Sequence, residues 1–304
     1  MSTKLPKLSP SALSLLKDCG RCFWLSKNRV AKPRGIFPSL PSGMDTIIKD
    51  SHDRYRLDGQ KLPPIILRQL PEGATAFKDL ILLNKWRQLG RGMSTTIKWG
   101  DHEVQLGGLV DDVIAFHCKH EKCASFKEEE GVKFGVDSGG RFTCRDGLVY
   151  SPYDYKTKKG PPPAPDYPKR YYGHQVDIYD LLLTDNGYPT NGDGYFSFYT
   201  TLDIDAPNEK NIARNVEPIN FDVTVIHMDT SWERAKEFVI RACEVLMGPL
   251  PEPGDECEYC TYTKKRALKM QEIHKARKEA AAAAEAAEAA EAAKPAGATE
   301  SAAA

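Results

Sequence analysis

Leu148-Val149-Tyr150-Ser151-Pro152-Tyr153-Asp154-Tyr155-Lys156 is the stretch on which the fold turns. Its apolar and aromatic residues predict a β-strand. It ends in Asp154-x-Lys156, two charged residues that the two-residue period of a strand puts on one side of a sheet. A carboxylate beside an ammonium at such a place can serve a hard metal ion and a reacting oxyanion together. A plain ion pair on an exposed sheet edge is the alternative. The chain holds no other Asp-x-Lys and no Glu-x-Lys.

Upstream, Gly108-Leu109-Val110-Asp111 is the single Gly-x-x-Asp of the sequence. Its glycine permits close backbone approach, and pairing of the two strands would bring Asp111 beside Asp154. Two neighbouring carboxylates repel each other unless a cation sits between them, and Mg²⁺ or Mn²⁺ would fill that place. Asp112 stands next in line and leaves the choice of residue open. Downstream, Gln175 and Tyr179 form the single Gln-x-x-x-Tyr, four apart and hence on one face of a predicted helix.

Around these motifs the hydropathy pattern predicts an α/β chain, a small mixed sheet covered by helices. Ser9 and Pro10 open a first helix, whose apolar positions Leu13, Leu16 and Phe23 keep helical spacing through Cys19 or Gly20. A Pro- and Gly-rich loop follows over 32–43, then helices over 44–55 and 74–89. Residues 95–99 and 103–116 read as a strand hairpin around Gly100-Asp101. Residues 119–140 are polar and charged and read as an insertion or long hairpin tip. Strand character returns over 141–156, a proline-rich loop spans 158–168, and 171–184 is a helix. Strands are expected over 194–202 and 221–227. Thr230-Ser231-Trp232-Glu233 reads as a capping box for a helix ending at Gly248. Residues 1–262 form one domain on this reading. Residues 263–304 are a Lys/Arg-rich and then Ala/Glu-rich tail, helical by propensity but without an apolar face and disordered after Pro295.

Eight cysteines are present, and in a chain of this kind paired cysteines point to metal more than to disulfides. Cys19-Gly-Arg-Cys22 and Cys257-Glu-Tyr-Cys260 supply four thiolates, enough for tetrahedral zinc or a cubane cluster. His117, Cys118, His120 and Cys123 crowd into one short segment with a spacing that fits no standard site. Cys243 reads as a core residue.

Gly108-x-x-Asp111, Asp154-x-Lys156 and Gln175-x-x-x-Tyr179, in that order, resemble the PD-(D/E)XK nuclease superfamily, and specifically its RecB-like branch of CRISPR-associated exonucleases and AddB-type nuclease domains. The resemblance covers about residues 9–262 and implies a restriction-endonuclease-like core. It implies that Asp111, Asp154 and the carbonyl of Tyr155 hold Mg²⁺ or Mn²⁺. Lys156 would then position the attacking water, and Gln175 and Tyr179 would meet the DNA backbone or orient that lysine. An early-helix histidine common in the branch falls at Lys49, which cannot ligate a cation while protonated; His52 is one turn away. The branch also implies a [4Fe-4S] cluster on cysteines from both ends of the domain. The two-and-two layout here differs from its usual one and three and keeps Zn²⁺ as the alternative.

Acidic and basic side chains balance at 42 each, so bulk charge argues for neither nucleic acid nor an anionic membrane. Positive charge is local instead: Lys158, Lys159, Lys169 and Arg170 cluster with Tyr167, Tyr171 and Tyr172 around the Asp-x-Lys strand end, a composition suited to single-stranded nucleic acid. The sequence reading is therefore a cytoplasmic, metal-dependent DNA nuclease acting on single-stranded or end-bearing DNA in repair, recombination or CRISPR-type processing. No Gly-x-x-x-x-Gly-Lys-Ser/Thr is present, so a helicase or repair partner would be a separate subunit. The alternative is a non-catalytic nucleic-acid-binding or assembly module that keeps the fold.

Overall fold

The computed structural model describes residues 5–33, 39–118, 134–136, 142–145, 147–204 and 219–292. By its internal contacts the chain divides into Met1–Pro251 and Glu252–Ala304. The first unit is a mixed α/β structure. Its helices are α1 (Pro10–Asp18), α2 (Gly20–Lys27), α3 (Ser39–Leu57), α4 (Pro64–Leu67), α5 (Leu80–Trp86), α6 (Tyr167–Asp185) and α7 (Trp232–Met247). Its strands are β1 (Thr75–Ala76), β2 (Met93–Trp99), β3 (His102–Gly108), β4 (Asp112–His117), β5 (Phe134–Val136), β6 (Phe142–Arg145), β7 (Leu148–Lys158), β8 (Asp193–Ile204) and β9 (Ile219–Asp229). The second unit carries one helix, α8 (Glu258–Ala292), exposed along nearly its whole length.

β7 is the spine of the main sheet. Its first half pairs antiparallel with β4, and its second half pairs parallel with β8, reached through α6. β9 closes the far side antiparallel to β8, and β1 borders β4. Pro152 stands inside this strand without an N–H to give. The ladder with β8 starts one residue later at Tyr153, while the Tyr150 N–H is taken by the Pro189 carbonyl.

The two faces of the sheet follow the strand period. Val113, Ala115 and Tyr150 join the core of α1, α6 and α7 on one face. Ile114, Phe116, Val149, Tyr153 and Tyr155 pack with Ile48 and Ile66 on the face covered by α3 and α4. Phe196 and Phe198, both fully buried, pack with Val176 of α6, and each contributes on the order of 1.5–3 kcal/mol by burial.

Several local expectations change. The first helix breaks at Cys19, whose extended backbone (φ −164°) caps the start of α2. The predicted loop over 32–43 already turns helical at Ser39, and the predicted helix over 74–89 begins as the short edge strand β1. The hairpin over 93–108 forms a two-stranded sheet of its own, with Leu8 bridging to Leu106, and β4 begins afresh at Asp112. The cap of α7 is Ser231 instead of Thr230: the Ser231 hydroxyl accepts from the Arg234 N–H and donates to Glu233. Residues 119–133 and 137–140 of the expected insertion, and the stretch after Pro295, lie outside the described residues. Among the described residues no helix is long and apolar enough to cross a membrane.

Candidate active site and four-cysteine group

Register builds the carboxylate pair. Asp112 stands opposite Tyr153 in the antiparallel ladder of β4 and β7, so Asp111, one residue before β4, falls opposite Asp154. Alternation then sends Asp111, Asp154 and Lys156 to the face of α6, and Asp112, Tyr153 and Tyr155 to the face of α3. This geometry puts the two neighbouring aspartates on opposite faces of the sheet. Asp112 is fully buried and belongs to the scaffold: Arg56 and the Val113 N–H bind its Oδ1, and the Tyr155 hydroxyl binds its Oδ2. Burial opposes ionisation of Asp112, but Arg56 and then Arg87 outweigh it and hold its pKa below the usual carboxylate range.

On the other face Gln175 is the hub. Its amide nitrogen donates to Asp154 Oδ1 at 2.8 Å and lies 2.8 Å from the Tyr179 hydroxyl. Its carbonyl accepts from Lys156 Nζ at 3.3 Å. Lys156 pairs with Asp154 Oδ2 and lies over the Tyr172 ring at 4.8 Å. Gly108 lets α6 approach this closely: a Cβ there would meet Leu182 at 2.9 Å and Tyr179 at 3.3 Å. Tyr179 is only 4% exposed, so it can hold Gln175 but cannot meet a DNA backbone.

Burial pushes the Asp154 carboxyl up to about 7, with Lys156 pulling it down and Asp111 adding to the rise. Burial works against the Lys156 ammonium, yet Asp154 outweighs it and raises its pKa. Lys49 of α3 also enters the group: its Nζ lies 2.8 Å from Asp111 Oδ1 and 2.8 Å from Asp45 Oδ2. Here too burial lowers and Asp111 then raises, and the net shift is upward. His52 takes no part. It is 1% exposed, lies against the rings of Tyr153 and Tyr155, and bonds the Tyr199 hydroxyl at 3.0 Å.

A scaffold holds Asp111 from behind. Arg87 Nε donates to the Asp111 carbonyl at 2.6 Å, and its Nη1 to Asp53 Oδ2 at 2.6 Å. Arg56 bridges Asp53, Asp112 and the Phe77 carbonyl. Sequence reading passed over Asp45, Asp53, Arg56 and Arg87. The helical spacing of 45, 49, 53 and 56 hints at the first three, as a charged stripe on α3, and nothing local hints at Arg87.

The residues expected to meet nucleic acid lie on two elements that also carry site residues, β7 and α6. Lys158 ends β7 and Lys159 follows it, while Lys169, Arg170 and Tyr172 lie in the first turns of α6. Lys169, Arg170 and Tyr171 are exposed. Arg170 stacks on the Tyr171 ring at 5.6 Å, and its carbonyl is fixed by Lys17.

Cys19 and Cys22 belong to the first unit, Cys257 and Cys260 to the second. Cys19 caps α2 and accepts from the Cys22 N–H, and Cys257 immediately precedes α8. Each pair thus sits at a helix N-terminus, where backbone dipoles favour thiolates. Each pair offers two thiolates of the kind that bind a metal ion or an iron–sulfur cluster. Cys243 is fully buried, and burial pushes its thiol up to about 11, as a core residue requires. His117 and Cys118 join no metal-competent group among the described residues; His120 and Cys123 lie outside them.

A further group escaped sequence reading: Asp193, His227 and Asp229 lie within 4.8 Å of one another, with His227 Nε2 at 2.7 Å from Asp193 Oδ1. The residues are far apart along the chain and meet because Asp193 pairs with Asp229 in the ladder of β8 and β9.

No family model matches the chain, and no curated protein matches it. Among solved structures, one described as "Crystal structure of SSO0001" is 10% identical, with 86% of each chain covered and a TM-score of 0.34, and at that score it carries no argument.

Proposed function

We propose that this chain is a metal-dependent DNA nuclease with a restriction-endonuclease-like core, of the RecB-like PD-(D/E)XK kind. One observation carries the reading: Asp111, just before β4, falls opposite Asp154 of β7, on the same face as Lys156, and Gln175, held by Tyr179, bonds Asp154 and Lys156. The donor set fits a hard divalent ion. Asp154 is wholly buried and resists ionisation beside Asp111, a strain that a cation between the two would relieve. Asp111 and Asp154 would hold Mg²⁺ or Mn²⁺, which supplies Lewis acidity and an activated water.

The chain's own residues do the rest. The Lys156 ammonium, held by Asp154 and Gln175, is placed to orient a water at the scissile phosphate and to offset charge developing on its oxygens. Gln175 is a positioning residue that fixes Asp154 and Lys156 together, and Tyr179 fixes Gln175. Lys158, Lys159, Lys169 and Arg170 would neutralise a strand's phosphates, and the exposed Tyr171 and half-buried Tyr172 offer ring faces to its bases. The substrate is accordingly single-stranded or end-bearing DNA.

A second reading, a non-catalytic nucleic-acid-binding or assembly module, is favoured by one observation: the Lys49 ammonium already lies on Asp111. An end-labelled single strand separates the two. Wild type should degrade it with Mg²⁺ or Mn²⁺ and leave it intact in EDTA. Binding without degradation under either ion would select the module.

The four-cysteine group is assigned a [4Fe-4S] cluster, with Zn²⁺ as the alternative. Anaerobically purified protein should be brown and lose its visible absorbance in Cys22→Ser. Colourless protein with one zinc per chain would reject the cluster.

A further inference from the structure

We propose that Lys49 is a resident cation of the carboxylate site, standing where a second divalent ion would bind so that Asp111 and Asp154 take only one. This rests on the metal-site reading above and adds the number of ions and the residue that sets it.

Lys49 Nζ is 2.8 Å from Asp111 Oδ1 and 2.8 Å from Asp45 Oδ2, contact distances for a charge-assisted bridge between two carboxylates. Its side chain is 19% exposed, so the ammonium is largely withdrawn from water. Nor is the helix that delivers it free to turn away. Ile48 is buried in the core beside it, and His52, one turn on, is locked against Tyr155 and Tyr199. The outer oxygen of Asp111 therefore faces a fixed positive charge.

Counting charge gives the consequence. Asp45, Asp111 and Asp154 carry three negative charges when ionised, and Lys49 and Lys156 carry two positive ones. A surplus of one negative charge remains. One divalent ion together with one phosphodiester brings the site to neutrality. A second divalent ion would leave two uncompensated positive charges in a largely buried group and would also meet the ammonium at short range. With Lys49 neutralised, the same site has room and charge for another ion, or for tighter binding of the first.

Mn²⁺ titration read by electron paramagnetic resonance of the free ion tests this without reference to cleavage. The full chain with its cysteine centre loaded is used, and only ions lost on Asp154→Asn are counted, which sets aside the Asp193–His227–Asp229 group. Wild type should bind one such ion. Lys49→Met should bind a second, or bind the first at least about tenfold tighter, and Lys49→Arg should match wild type. Should Lys49→Met fail to fold, Lys49→Gln replaces it with the same expectation. Two Asp154-dependent ions in wild type, or equal number and affinity in wild type and the neutral variant, would overturn the inference while leaving the metal site standing. No ion in wild type but one in the neutral variant would overturn it, because Lys49 would then stand in place of the first ion and not of a second. No Asp154-dependent ion in any of these proteins would overturn the metal-site reading itself and the inference with it.

Discussion

Asp154→Asn should slow metal-dependent cleavage by at least about a thousandfold, because it removes a ligand charge and loosens Lys156 in one step. The same substitution carries a signature in stability. Burial pushes the Asp154 carboxyl up to about 7, so the folded state keeps a proton that the unfolded chain has already lost above about pH 4. A raised carboxyl therefore costs stability progressively from about pH 4 to about 7, and the full cost persists above that. His52 and His174 act in the opposite sense. Burial pushes both down to about 4, so the unfolded chain alone binds their protons below about 6.5 and stability rises with pH over that window. The total profile mixes these slopes, whereas the difference between Asp154→Asn and wild type isolates one. In denaturant titrations of metal-free protein the variant should gain on wild type between pH 4.5 and 7.5, by a few kcal/mol at most. Mg²⁺ should stabilise wild type at pH 7.5 and leave the variant unmoved. A flat difference across pH, with cleavage intact, would remove Asp154 from the site.

Arg56→Met should destabilise the protein by about 3–5 kcal/mol, the usual cost of orphaning a buried charge. Arg56 is 3% exposed and spends its guanidinium on Asp53, Asp112 and the Phe77 carbonyl. Without it the fully buried Asp112 keeps only the Tyr155 hydroxyl, its neighbour's N–H and Arg87 at 3.5 Å. Replacing both partners, in Arg56→Met with Asp112→Leu, should recover a large part of the loss, since an apolar pair of similar volume needs no solvation. Denaturant midpoints of the two single variants and the double variant check this. A double variant no more stable than Arg56→Met would mean that the network does more than neutralise Asp112.

How much of this was legible in the sequence depends on distance along the chain. The face shared by Asp154 and Lys156 follows from a two-residue spacing, and that of Gln175 and Tyr179 from a four-residue one. Both spacings survive folding unchanged. The role of Gly108 was legible too, because only close approach of another element explains a glycine there. The separation of Asp111 from Asp112 was not. Alternation needs a register, and register is set by a partner strand some forty residues away. The same holds for Asp193, His227 and Asp229, which meet across a ladder, and for Arg87, whose target is a backbone carbonyl. Local pattern misled at several places, and two of them show why. Helical spacing ran through Cys19, where the chain instead extends to cap a second helix. Apolar alternation ran from β3 into β4 across a break at residues 109–111.

The chain's balance of charge takes on a different meaning beside these contacts. Acidic and basic groups are paired around Asp111, Asp112 and Asp154, while Lys159, Lys169 and Arg170 remain exposed after the end of β7 and at the start of α6. On the proposed function, binding to DNA should be local to these residues and salt-dependent.

The most direct test is single-turnover cleavage of an end-labelled single strand at saturating Mn²⁺ by wild type and by Lys156→Ala, each first shown to bind the strand. Cleavage by wild type and a loss of at least about a thousandfold in the variant is the predicted result. Equal rates in the two proteins would contradict the assignment of Lys156, and with it the hydrolytic site.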